Sequence, residues 1–134
     1  MRYVKQKGSD DCGIAALAMA TGVDYDRIAS DIPVPINQTD AEEWLRDHGF
    51  AWQIMYQMRR VERRFCKREH WPPAAWAPTH IAQVKATQEL HFVALDRDGC
   101  VFDPWDRSRA FLTDPAYREV HWVMGLWPIS NAPL

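Results

Sequence analysis

Gln6-Lys-Gly-Ser-Asp-Asp-Cys12-Gly-Ile-Ala-Ala-Leu-Ala-Met-Ala20 sets one thiol at the mouth of a helix and a side-chain amide one loop upstream of it. Ile14, Leu17, Ala18 and Thr21 recur at helical spacing in a run rich in alanine, the strongest helix former, so a helix is expected from about Cys12 to Ala20. Gly22 ends it. Ser9, Asp10 or Asp11 can accept hydrogen bonds from the free N–H groups of the first turn, which places Cys12 in that turn. The helix dipole there favours a thiolate, the form of cysteine that attacks carbonyl carbon, while Asp10 and Asp11 oppose a second negative charge. A reactive Cys12 therefore requires a cationic partner from elsewhere in the chain.

The segment Leu90-His91-Phe-Val-Ala-Leu95-Asp-Arg-Asp-Gly99-Cys-Val-Phe-Asp103-Pro104 contains such a group. Two β-prone apolar runs flank Asp96-Arg97-Asp98-Gly99, which reads as a hairpin whose turn ends on a glycine able to take positive φ. With a bulge at Gly99 after a type I turn, Cys100 lies opposite Asp96, Val93 opposite Asp103 and His91 opposite Trp105. His91 and Asp103 then share one face as diagonal neighbours, while Phe92 and Ala94 turn to the other. A two-residue turn centred on Arg97-Asp98 would instead put His91 and Asp103 on opposite faces.

Taken together, these pieces resemble the papain-like cysteine peptidases, and among them the C39 family of bacterial peptidases. The matching residues are Gln6, six before the cysteine, Asp11-Cys12-Gly13 with Ala15 and Met19, His91-Phe92-Val93, and Asp103-Pro104. The match spans about residues 1 to 22 and 89 to 106. The resemblance implies that Cys12 is the nucleophile, His91 the general base and acid, and Asp103 the residue that orients the imidazole. It further implies that the Gln6 amide and the Cys12 backbone N–H stabilise an oxyanion. The double-glycine leader substrate of the transporter-fused family members is not carried over to this chain.

A chain of 134 residues has the length of one domain, and residues 1–134 are read as a single unit. A formal net charge of -2 argues against general affinity for nucleic acid. No apolar run approaches a membrane span and the opening Met1-Arg-Tyr-Val-Lys-Gln does not read as a signal peptide, so a cytoplasmic location is the expectation. Cys12, Cys66 and Cys100 are an odd set without close pairing, which suggests neither a disulfide framework nor a zinc ribbon. Cys66 and His70 stand at helical spacing but lack a second ligand pair, so neither metal nor cofactor is expected.

Between the two ends, Asp24 is placed to cap a short helix ending at Ile32-Pro33, and Thr39-Asp-Ala-Glu42 reads as a capping box opening a helix that closes at Gly49. Phe50, Trp52, Ile54 and Tyr56 alternate as a strand. Arg59 to Glu69 reads as a basic helix, solvated on its charged face or docking an acidic substrate or nucleic acid, and Trp71 to Pro78 as an extended proline-rich connector. Strands follow at Thr79–Val84, Leu90–Leu95, Cys100–Asp103 and near Val120–Trp127, with a loose tail from Pro128. Helices packed on a following antiparallel sheet give an α+β fold, and the resemblance implies its papain-like form.

The sequence thus leads to a cysteine peptidase or isopeptidase acting on a peptide or protein. Two other readings stay open: an amidase or transglutaminase-like acyltransferase that keeps the thioester chemistry, and a catalytically silent papain-like binding module. His121 beside Trp122 is the main rival to His91 as base. His48, His70 and His80 are the other histidines.

Overall fold

A run with no charged residue from Cys12 to Thr21 has no face to offer water, and α1 (Cys12–Thr21) is buried from Cys12 through Ala20 in the computed structural model of the chain. The structure describes residues 1–57, 77–86 and 89–129. The expected basic helix Arg59 to Glu69, the Cys66 and His70 pair, most of the proline-rich connector and the end of the tail lie outside those residues. Gly22 takes φ of 76° and ends α1 by donating its N–H to Ala18. At the other end Asp11 holds the N-cap position, but its side chain does not cap. It turns back to the preceding loop.

Two further helices follow α1 and share its core. α2 (Tyr25–Asp31) follows Asp24 and stops at Ile32, as the sequence suggests, although the Asp24 side chain makes no capping bond. α3 (Gln38–Asp47) starts before the expected threonine box. The Asn37 side chain accepts the Asp40 N–H at 2.8 Å, and the Asp40 carboxylate accepts the Asn37 N–H at 3.0 Å. Asparagine caps at least as well as threonine, so this reciprocal pair takes the helix start from Thr39 and Glu42.

Five strands form one antiparallel sheet: β1 (Phe50–Gln57), β2 (Thr79–Ala86), β3 (Glu89–Leu95), β4 (Val101–Phe102) and β5 (Tyr117–Pro128), in the order β1-β5-β2-β3-β4. The architecture among the described residues is therefore α+β. Strand alternation divides the apolar side chains between two faces. Ile81, Phe92, Ala94, Trp122, Met124 and Leu126 pack beneath the helices. Ala82, Val84, Val93, Leu95, Tyr117, Val120 and Val123 form a second core, which Leu112 joins from the connection between β4 and β5. β5 starts at Tyr117, earlier than the expected Val120, because Tyr117 is itself part of that second core.

The β3–β4 turn has the bulged form. Gly99 takes φ of 82°, its N–H donates to Asp96 at 3.1 Å, and the Asp96 N–H donates to the Cys100 carbonyl at 3.1 Å. Ala94 pairs with Phe102 and Leu95 with Val101, the register expected from the sequence. The paired strand β4 is nevertheless only two residues long, shorter than the expected Cys100–Asp103. Among the described residues no helix is long and apolar enough to cross a membrane.

Gly13 lets the start of α1 approach the rest of the core. A Cβ there would lie 2.3 Å from Ile36 Cγ1 and 2.7 Å from Ile36 Cδ1, with Phe92 Cδ2 at 3.3 Å. Gly13→Ala is expected to lower the unfolding free energy by about 1–2 kcal/mol, the overpacking of a buried Ile36 outweighing the gain in helix propensity. Urea denaturation checks this; an unchanged or higher midpoint would show that Ile36 moves aside freely.

Candidate active site

Cys12 opens α1, so its backbone N–H is one of the groups at a helix start that have no intrahelical acceptor. Its side chain meets the outer edge of β3, where the Phe92 N–H donates to Cys12 Sγ at 3.4 Å. Phe92 and Ala94 point beneath the helices, and alternation therefore turns His91 and Val93 to the opposite face. On that side His91 Nε2 donates to Asp103 Oδ1 at 2.6 Å. With Nε2 committed to the carboxylate, Nδ1 is the ring nitrogen left to face the Cys12 thiol, which lines the same cleft as the imidazole.

Burial disfavours an imidazolium at His91, but the hydrogen bonds to Asp103 and Cys12 and the nearby negative charge outweigh it and raise the pKa to about 9. Burial likewise works against the Asp103 carboxylate, which has no exposed surface. The His91 hydrogen bond and charge, the Tyr117 hydroxyl and the Trp105 N–H prevail and hold it below the ordinary carboxylate range. The two shifts favour a charged imidazolium–carboxylate pair.

Gln6 is tied to the residue that follows Asp103. Its backbone N–H donates to the Pro104 carbonyl at 3.0 Å, and its Nε2 donates to the Gly8 carbonyl at 2.7 Å. A carbonyl only accepts, which fixes the orientation of the amide and leaves Nε2 one further N–H. Oε1 is buried without a hydrogen-bond partner. The loop is shaped by Asp11, whose carboxylate accepts the Lys7 and Gly8 N–H groups, each at 2.7 Å, and the Tyr25 hydroxyl at 2.5 Å. Burial opposes the charge on Asp11, but these donors outweigh it and lower its pKa.

A cleft of about 290 Å³ joins Cys12, His91 and Gln6, with Ser9, Glu89, Leu90, Trp105 and Arg109 also on its walls. Cys12 and His91 each retain 9% of their surface, enough to be reached from it. Leu90 and Trp105 are more than half exposed and form an apolar rim. All four residues singled out in the sequence are thus together, although Gln6 has already given one amide hydrogen to its own loop. His121 is paired with Glu119 at 3.4 Å, His48 with Asp31 at 3.2 Å, and His80 is buried against the Asp96 carbonyl, so none of these lines the cleft. Among the described residues no His, Cys, Asp or Glu cluster is arranged to hold a metal ion.

Sequence reasoning did not find Tyr117, Arg109 or Tyr25. Tyr117 and Tyr25 reach carboxylates fourteen positions away, and Arg109 reaches Asp103 across an irregular loop, so no helix or strand spacing marks them. No protein-family model matches the chain, and no curated protein matches it.

The shifted pair makes stability depend on pH. His91 titrates higher folded than unfolded, so its contribution is complete below about pH 6.5 and disappears as pH rises through about 9. Asp103 titrates lower folded than unfolded, so its contribution is present above about pH 4 and disappears as pH falls. The urea-unfolding free energy is expected to fall by about 1–3 kcal/mol as pH rises from about 6.5 to 9, a slope that His91→Gln removes. A wild-type profile that is flat over this interval would contradict the pairing.

Proposed function

We propose that the chain is a thiol hydrolase of the papain-like, C39-like type, cleaving a peptide or isopeptide bond. The observation that carries this reading is the imidazole of His91 held by the Asp103 carboxylate on the wall of an open cleft that it shares with the Cys12 sulfur. An α+β layout in which a helix presents the cysteine to an antiparallel sheet carrying the histidine supports the papain-like form.

In this mechanism the Cys12 proton resides on His91 Nδ1, giving the imidazolium that Asp103 holds, and the thiolate attacks the acyl carbon, moving the carbonyl electron pair onto oxygen. The Cys12 backbone N–H and the second N–H of Gln6 Nε2 stabilise the resulting oxyanion. As the intermediate collapses, the carbon–nitrogen bond breaks and the leaving amine takes the proton from His91. Water then gives a proton to His91 and attacks the thioester, and Cys12 is released with the carboxylic acid product. Asp103 keeps Nε2 protonated, so the nitrogen that faces sulfur does the proton transfer.

The test combines alkylation with turnover. Iodoacetamide is expected to label Cys12 well ahead of Cys66 and Cys100, with the advantage lost in His91→Ala. On a cleaved peptide, Cys12→Ala is expected to abolish turnover and Gln6→Ala to lower kcat about 10²–10³-fold while leaving alkylation unchanged, because alkylation forms no oxyanion. Product masses with added amines separate hydrolysis from acyl transfer. Cys12 reacting no faster than the other cysteines would end this reading.

A further inference from the structure

The two oxygens of Asp103 have separate partners. Oδ1 accepts His91 Nε2 at 2.6 Å, the Trp105 N–H at 2.8 Å and the Asp106 N–H at 3.3 Å. Oδ2 accepts the Tyr117 hydroxyl and, at 3.4 Å, Arg109 Nη1. Arg109 Nε also lies 3.5 Å from Asp106 Oδ2, and its guanidinium stands 5.7 Å from the centre of the Tyr117 ring. From the N-terminal segment, the Tyr3 hydroxyl donates to the Asp103 main-chain carbonyl at 2.6 Å. The charged and titratable groups around Asp103 are therefore His91 from β3, Tyr117 from β5, Arg109 and Asp106 from the connecting loop, and Tyr3.

Tyr117 has only 4% of its surface exposed and packs in the second core with Val93, Val120 and Val123. For packing alone, phenylalanine would serve as well, since a buried hydroxyl opposes folding unless it is hydrogen-bonded. This hydroxyl is directed at the carboxylate oxygen that His91 does not use. A carboxylate bound through one oxygen can still turn about its Cβ–Cγ bond, and donors on the second oxygen fix its plane.

Resting on the thiol-hydrolase reading, we propose that Tyr117 is a positioning residue of the site, whose hydroxyl fixes the Asp103 carboxylate from behind and through it sets the orientation of the His91 ring. Arg109 assists from the cleft side, where its charge also offsets that of Asp106. Tyr117 touches neither the sulfur nor a reacting carbonyl in this role. Its influence reaches the chemistry through the imidazole.

The experiment is NMR of the full chain, comparing wild type with Tyr117→Phe. Two signals are followed: the carboxyl carbon of Asp103 during acid titration, and hydrogen exchange of the His91 Nε2–H. Loss of the hydroxyl is expected to raise the Asp103 midpoint by about one unit, tenfold in its acid equilibrium, and to speed exchange of the ring proton about tenfold or more. If both signals remain unchanged while thermal stability falls, the hydroxyl is merely structural and the proposal is wrong. Should Tyr117→Phe fail to fold, 3-fluorotyrosine at position 117 keeps the ring and strengthens the donor. The Asp103 midpoint is then expected to fall, and an unmoved midpoint overturns the proposal. Neither readout depends on turnover, so an unreactive Cys12 would defeat the hydrolase reading while the carboxyl titration still decides what Tyr117 does.

Discussion

A carboxylate with no exposed surface is the constraint around which the site is assembled. Burying an unpaired charge costs several kcal/mol, so Asp103 is tolerable only where the fold surrounds it with donors. Those donors come from β3, from β5 and from the loop between β4 and β5, while Tyr3 ties the Asp103 main chain to the N-terminal segment. Each segment must be in place before the charge is matched. The pairing of His91 with Asp103 is consequently a requirement of the folded sheet as well as a feature suited to proton transfer.

Asp11 does the same for the loop before α1. A residue at the N-cap position would ordinarily direct its carboxylate to the first turn of its own helix. Here the carboxylate binds the Lys7 and Gly8 N–H groups and the Tyr25 hydroxyl instead, joining the Gln6 loop, the start of α1 and the start of α2. The first-turn N–H groups of α1 are left without that cap. Such a cap would have taken the Gly13 or Ile14 N–H, and the side chain that would have filled this end of the helix instead shapes the loop carrying Gln6.

Features set by neighbouring residues were legible in the sequence. Alanine-rich composition and Gly22 delimit α1, and Gly99, able to take positive φ, specifies the β3–β4 register that puts His91 and Asp103 on one face. The start of α3 was misread because two capping pairs overlap, and the choice of Asn37 over Thr39 depends on backbone geometry. Tyr117 was not legible at all. It falls before the expected start of its strand, and its significance comes from a carboxylate that the intervening loop brings back to it. Similarly, Asp10 and Asp11 are adjacent and chemically identical, and only burial separates the exposed one from the one that organises a loop.

The shortness of β4 explains how a helix can reach a strand edge inside a sheet protein. Ala94 pairs with Phe102, and the same register carried two residues further would place Phe92 opposite Pro104. Proline has no N–H to give, so it cannot complete a reciprocal pair and the ladder stops. Both backbone groups freed by that interruption find other partners: the Pro104 carbonyl accepts the Gln6 N–H, and the Phe92 N–H turns to Cys12 Sγ. The strand pairing that would have closed this edge is thereby replaced by contacts with the Gln6 loop and the helix mouth. In Asp103-Pro104 the first residue supplies the partner for the imidazole, and the second ends the strand so that the sulfur has a place to stand.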